Sequence, residues 1–386
     1  MTLPFEPLEV DPTEAPPWLE TSDRLRVRPH GWRAPGPDDR VVAWVGNDER
    51  RRPAMVRGAD GLRPCFDVEA TLLDLVGERY RPAPLPVTRF SPLPYHLAPA
   101  RMRLWVKRIL TRLEPADGYP TFPLDKSAET LRWLWARGNP TAPWPDGKRY
   151  AWCLTHDVDT AAGVSCVERI AALEEARGLR SAWYCVAQAG TLPDRLGDRL
   201  RAVGHEIGLH GDVHDNRLPY EHPLRMAERL VACRPFMERN SVVGFRSPSL
   251  CRSRQLFRVL GELFEYDSTV PHADEGLGCG AAFPFLIGDD LVELPLTVPM
   301  DASLLYRDKS PAEILAAWKR QLAWIRAVGG LAMITTHAEP HLGGRADLMA
   351  VYQALIAEID SDTEAWHALP REVARWWKNH SNLSEN

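Results

Sequence analysis

The 386-residue sequence contains no Cys-x-x-Cys pair, no long apolar run and no surplus of basic residues. Its seven cysteines are odd in number and scattered, which argues against a disulfide framework or a structural zinc cluster and for a reducing compartment. Charges or prolines interrupt every apolar stretch before the roughly 18 residues that a spanning helix requires, so no membrane span is expected. The stretch Met1 to Glu20 carries acidic residues and prolines where an export signal would place a basic start and an apolar run of roughly 7–15 residues. A cytoplasmic protein is the expectation. A net charge of −5 offers no basic field to collect nucleic acid, and Arg50 to Arg52 read as solvated surface. The sequence is 45% hydrophobic and 26% charged, a composition typical of a folded globular protein. At this length two domains, or one with an appendage, are expected.

Proline is what the first part has in abundance. Sixteen of the 34 prolines fall within residues 1–100, in stretches such as Arg81-Pro-Ala-Pro-Leu-Pro, which forbid long helices there and predict an irregular N-terminal extension or domain. Helical patterns near Ala98 to Arg112 and Ser127 to Arg137 follow. The turn Pro143-Trp-Pro-Asp-Gly-Lys then places a domain boundary near Pro145, separating 1–145 from 146–386.

From Arg149 onward, short apolar runs alternate with amphipathic segments. Strands are expected at Tyr150 to Leu154, Ala182 to Val186, Glu206 to Leu209, Val242 to Phe245, Val292 to Leu296 and Leu331 to Thr335. Helices are expected near Val164 to Arg177, Arg195 to Val203, Pro223 to Arg239, Arg254 to Phe264 and Pro311 to Val328. Helical segments near Ala346 to Ile359 and Glu372 to Lys378 close the chain. Such alternation implies βα units around a parallel sheet or barrel.

Four polar groups stand at the C-terminal ends of these strands, where α/β sheets and barrels place their active sites. The first is Thr155-His156-Asp157-Val158-Asp159, whose carboxylates could equally cap the following helix. The second is His210-Gly-Asp-Val-His214. Its spacing puts two imidazoles on one face of a helical turn, a bite suited to a zinc-sized cation. Two imidazoles and one carboxylate, with positions open to water, make a catalytic rather than a structural site. The third is Gly244-Phe-Arg-Ser-Pro-Ser249 and the fourth is Ile334-Thr-Thr-His-Ala-Glu-Pro-His341. Taken singly, Arg246 reads as a surface cation and His337 as a satisfied buried histidine.

Together, in this order, Asp-x-Asp, His-x-x-x-His, Arg-x-Pro and Thr-His resemble the motif series of the polysaccharide deacetylase family, over about Tyr150 to Pro340. The resemblance implies a distorted (β/α) barrel of about seven strands, one divalent cation (zinc first, with Co, Ni, Mn or Fe according to supply) and hydrolysis of an acetamido group. It implies Asp159, His210 and His214 as metal ligands, Asp157 as general base, Arg246 as the arginine that orients it and His337 as general acid. Val158 between the two carboxylates departs from the adjacent Asp-Asp of many members and fits a subset with smaller or less usual substrates. Neither Tyr266-Asp-Ser-Thr269 nor Leu294-Pro-Leu-Thr297 is a clean match to the family's acetate-pocket motif. Asp267 is a candidate to orient His337 or Arg246, with a turn cap as the alternative reading.

His341 is set aside as a metal ligand because Pro340 interrupts a helical turn. His156 should face away from Asp157, since adjacent strand side chains point oppositely, and His205 reads as packing. Most of the 14 tryptophans, Trp318, Trp324 and Trp376 among them, read as core; Trp144 and Trp183 are candidates for the rim of a sugar site. The function implied is an N-deacetylase acting on an N-acetylated sugar or glycan precursor. A hydrolase of a cyclic amide or formamide is the enzymatic alternative, and a non-catalytic binding module on the same fold is the alternative of a different class.

Overall fold

The structure, a computed structural model, describes residues 5–20, 23, 25–47, 50–80, 102, 105–109, 119–136, 144–274, 277–288 and 290–380. The proline stretch after Arg81, most of the helix expected near 98–112 and residues 381–386 lie outside them. The chain divides into two compact units, one of Met1–Pro82, Glu114–Ala142 and His272–Ala282, the other of Ala83–Leu113, Pro143–Pro271 and Phe283–Asn386.

The first unit corrects the expectation of an irregular segment. Strands β1 (Glu6–Val10), β2 (Leu25–Val27), β3 (Arg40–Val45), β4 (Arg52–Gly58) and β5 (Gly61–Pro64) form an antiparallel sheet in the order β2-β1-β3-β4-β5. Proline forbids long helices but tolerates strands this short at their ends and turns. Helices α1 (Val68–Val76) and α2 (Ser127–Trp135) contribute Leu75 and Leu131 to a core with Leu8, Val42 and Met55. Asp67 caps α1 by accepting from Ala70 N at 2.9 Å, as the first turn of a helix requires.

The second unit is a distorted (β/α) barrel. Its strands β6 (Tyr150–Val158), β7 (Ala182–Cys185), β8 (Glu206–Leu209), β9 (Gly244–Phe245), β10 (Tyr266–Asp267), β12 (Leu291–Glu293) and β13 (Leu331–His337) run parallel in the order β12-β10-β9-β8-β7-β6-β13. β11 (Phe285–Ile287) adds an antiparallel edge on β12, and β14 (Ala365–His367) pairs with β6. The sheet curls until Val298 N donates to Met333 O at 3.3 Å, while Thr297 Oγ1 donates to Leu331 O at 2.5 Å and accepts from Met333 N at 2.8 Å. Those bonds join the segment after β12 to β13.

Helices α3 (Val164–Glu175), α4 (Asp194–Val203), α5 (Pro223–Val231), α6 (Arg234–Asn240), α7 (Arg254–Gly261), α8 (Asp301–Tyr306), α9 (Pro311–Val328), α10 (Ala346–Asp360) and α11 (Pro370–His380) accompany these strands. The single helix expected over Pro223 to Arg239 is two, because Pro235 lacks the N–H that an uninterrupted helix would use, and it stands in the first turn of α6 instead. Among the described residues no helix is long and apolar enough to cross a membrane.

In parallel register, Asp157 pairs with Tyr184 and Tyr184 with Gly208, while Tyr266 pairs with Gly244. The glycines are needed there, since a Cβ at either would collide with the neighbouring tyrosine ring.

Candidate metal centre

The strand β6 is buried along its whole length, so its alternation sorts its polar residues cleanly. Thr155 and Asp157 share one face and His156 takes the other. His156 is bound at Nδ1 by the Thr336 hydroxyl (2.8 Å) and at Nε2 by Glu174 (2.7 Å), away from Asp157 as expected. Glu174 also holds Ser181 and the Tyr352 hydroxyl, and Ser181 meets His205. This network packs the barrel wall.

On the other face, Arg246 is fully buried and spends its guanidinium on fixed acceptors. Nη1 donates to Asp157 Oδ1 at 2.8 Å, Nε to Ser268 O at 2.9 Å and Nη2 to Ser268 Oγ at 3.0 Å, with Thr155 Oγ1 at 3.2 Å from both terminal nitrogens. The Tyr184 ring lies 4.1 Å beneath, a cation–π contact. Burial opposes ionisation of Asp157, but the Arg246 guanidinium, followed by His210 and His337, outweighs it and holds the carboxyl below its ordinary value.

Asp159 follows the end of β6, and His210 follows the end of β8. His210 Nδ1 lies 2.8 Å from the Arg246 carbonyl oxygen. A carbonyl can only accept, so Nδ1 carries a proton and donates it, which leaves Nε2 facing Asp159 Oδ1 at 3.3 Å. His214 Nε2 lies 3.6 Å from the same oxygen. Ligand atoms of Asp159, His210 and His214 all fall within 4.8 Å of one another, and among the described residues they are the one group of three or more that could hold a cation. His341 is exposed and outside it.

Asp159 Oδ1 is buried with no hydrogen-bond partner, an arrangement that is costly unless something charged satisfies it. Burial raises the Asp159 pKa, yet His214 and His210 hold it far below the usual carboxylate range. A buried carboxylate oxygen with two imidazole Nε2 atoms turned toward it is a donor set that fits a divalent cation.

The loop that carries the two imidazoles is not the expected helical turn. Residues 211–217 are bends and coil, with Gly211 at φ +78, and tertiary contacts hold them. Arg229, on α5, donates to both oxygens of Asp212 (2.9 and 2.7 Å) and to Glu221 (2.7 Å), with Asp215 at 3.2 Å.

His337 ends β13. Its Nδ1 lies 2.7 Å from Asp301 Oδ1, and its backbone N donates to Asp301 Oδ2 at 3.1 Å. Burial disfavours the imidazolium, but Asp301, helped by Asp159 and Asp157, raises its pKa to about 10. Asp301 therefore orients His337. Asp267 does neither of the tasks expected of it: its oxygens accept from Thr269 N (3.0 Å) and Thr269 Oγ1 (2.8 Å) in a local turn.

Sequence reasoning missed Asp301, Ser268, Thr155 and Arg229. Strand alternation could have found Thr155, two residues before Asp157 on the same face; nothing local marks the others. Trp183 and Trp144 are not rim residues. Both are buried, Trp183 stacked on His156 and Trp144 donating to Gly329 O at 2.7 Å. Trp318 and Trp324 are core, whereas Trp376 is half-buried against His380.

No family model matches this sequence, and no curated protein matches it. Solved structures do match. A protein of Mycobacterium smegmatis assigned to the polysaccharide deacetylases superposes with a TM-score of 0.53 at 24% identity, covering 63% of this chain and 96% of that one. The chain has the polysaccharide deacetylase fold. A Pseudomonas aeruginosa PAO1 protein with the same assignment gives 0.52 at 18%, over 63% of this chain and 96% of that one. Puue allantoinase gives 0.54 at 18%, over 69% of this chain and 99% of that one. In this deacetylase fold the six residues singled out from the sequence converge on the C-terminal ends of β6, β8 and β13 and the residue after β9.

Proposed function

We propose that the chain is a metal-dependent amide hydrolase of the polysaccharide deacetylase type, which releases acetate from an N-acetylated sugar or glycan precursor. The observation that carries this reading is the trio of groups in distinct states. These are a carboxylate kept ionised by Arg246, an unpartnered Asp159 oxygen beside two imidazoles, and an imidazole kept protonated by Asp301.

Asp159, His210 and His214 would hold the cation, zinc first and cobalt, nickel, manganese or iron according to supply. When bound, such an ion polarises an amide carbonyl and lowers the pKa of a water. Asp157 accepts the proton of the attacking water, since its charge is already stabilised and its Oδ1 is pinned by Arg246. Thr155 and Ser268 occupy the other guanidinium N–H groups and keep Arg246 from swinging away. His337 then gives its Nε2 proton to the departing amine, while Asp301 holds Nδ1 and stabilises the imidazolium before transfer.

A second reading keeps these roles and exchanges the substrate for a cyclic amide or formamide. It is favoured by Val158 between the two carboxylates and by the likeness to an allantoinase. The test is metal content and a substrate panel scored for acetate, formate and ring-opened products, with wild type, Asp157→Asn and His210→Ala. About one cation in wild type, loss of it in His210→Ala, and an inactive Asp157→Asn that retains it support the roles. Wild-type protein purified without chelator that binds no cation overturns them and leaves a binding module.

A further inference from the structure

We propose that Glu339 is a positioning residue, which sets the place of the Asp159 carboxylate by clamping the next residue, Thr160, to the loop that follows His337. This rests on the metal-site reading above. Glu339 stands two residues past His337 and is 2% exposed. Its Oε1 accepts the Thr160 N–H at 2.8 Å, and its Oε2 accepts the Thr160 hydroxyl at 2.8 Å. Both oxygens serve the one residue that adjoins a ligand.

Glu339 is itself anchored. Its carbonyl accepts from Leu342 N (3.0 Å) and Gly344 N (2.9 Å), and the preceding residue, Ala338, donates its N–H to the Asp157 carbonyl at 2.9 Å. One end of the clamp is thus tied to the residue of the base and the other to the residue after the ligand. The loops approach closely enough that a Cβ on Gly163 would collide with the Ala338 carbonyl and stand 3.0 Å from Glu339 Oε1. Asp159 Oδ1 has no hydrogen bond of its own, so the backbone beside it decides where that oxygen stands.

A carboxylate is an expensive side chain for packing in this place. Burial first, and the charge of Asp159 second, raise its pKa to about 7. The clamp does not depend on the proton, because the Thr160 hydroxyl can accept as well as donate. Groups that orient metal ligands typically carry about 10–100-fold in metal affinity.

The test is cation affinity, measured by competitive titration with zinc and cobalt(II), together with the visible spectrum of the cobalt form and unfolding in chelator as a separate check on the fold. Glu339→Gln retains an acceptor for Thr160 N and a donor for its hydroxyl, and is expected within about 3-fold of wild type. Glu339→Asp keeps the charge but shortens the arm. It and Glu339→Ala are expected to bind the cation roughly 10–100-fold more weakly with a changed cobalt spectrum. Wild-type affinity in the Ala and Asp variants overturns the inference alone. A Gln variant as weak as Ala shows that charge, not position, matters, and overturns it too. Wild type that binds no cation overturns both this inference and the metal reading.

Discussion

Asp157 and Glu206 are two fully buried carboxylates of the same barrel, and burial alone does not explain how differently they behave. The register Asp157–Tyr184–Gly208 puts Asp157 on the face of the sheet that Glu206, two residues before Gly208, also shares. Asp157 meets a guanidinium and is held below its ordinary value. Glu206 meets the Tyr266 hydroxyl at 2.8 Å and Arg371 N at 3.1 Å, while the Arg371 side chain stands off at 4.0 Å, and its pKa rises to about 7. The nearest partner decides whether a buried acid is a ready base or a neutral hydrogen-bonding group. One barrel holds both kinds, Asp157 near the C-terminal end of β6 and Glu206 at the start of β8.

The largest expected effect removes the proposed base. Asp157→Asn should lower kcat by roughly 10²–10⁴ with cation content unchanged, measured by acetate release and metal analysis. Next, Arg246→Met makes Asp157 resemble Glu206. Leaving that carboxylate without its cation should cost about 3–5 kcal/mol of stability in chemical denaturation. The acidic limb of the pH–rate profile should move to higher pH. An unmoved limb would assign it to another group.

Asp301→Asn acts on the opposite limb. Without the carboxylate, the His337 pKa should fall from about 10 toward the ordinary imidazole value of 6.5, so activity should decline at lower pH than in wild type while activity below that range is nearly preserved. The smallest effect sharpens the comparison from the other side. The Glu206 pKa is raised from 4.5 to about 7, so its stabilising contribution is full below the unfolded pKa and is lost as pH rises through 7. Glu206→Gln, which cannot ionise, should therefore gain stability relative to wild type between those values, by up to roughly 3 kcal/mol, and hold that gain above them. Paired denaturation curves at pH 5 and pH 8 check the sign.

Much of the barrel was legible because its signals are local. The range Pro311–Val328 for α9 follows from a Ser310–Glu313 capping box, proline in the first turn and Gly329 in the left-handed region at its end. Glu206–Leu209 is apolar at its centre and bounded by polar residues, and it is a strand of those bounds. Less legible were elements with weak periodicity. The antiparallel sheet of the first unit was hidden by prolines at the margins of its strands. The six-residue α8 was missed outright, and with it Asp301.

Residue type and order alone determined the chemistry available to this chain: carboxylates, imidazoles and an arginine, each just past an apolar run that must pair in a sheet. Hydrophobic burial and strand alternation act over a few residues, so a linear reading can follow them. What only the tertiary structure decided is which side chains meet. Asp301 lies 36 positions before His337, Ser268 lies 22 after Arg246, and Glu339 lies 179 after Thr160. Hydrogen bonds and charge pairs act over a few ångströms of space whatever the separation along the chain, and parallel strands bring such distant residues side by side.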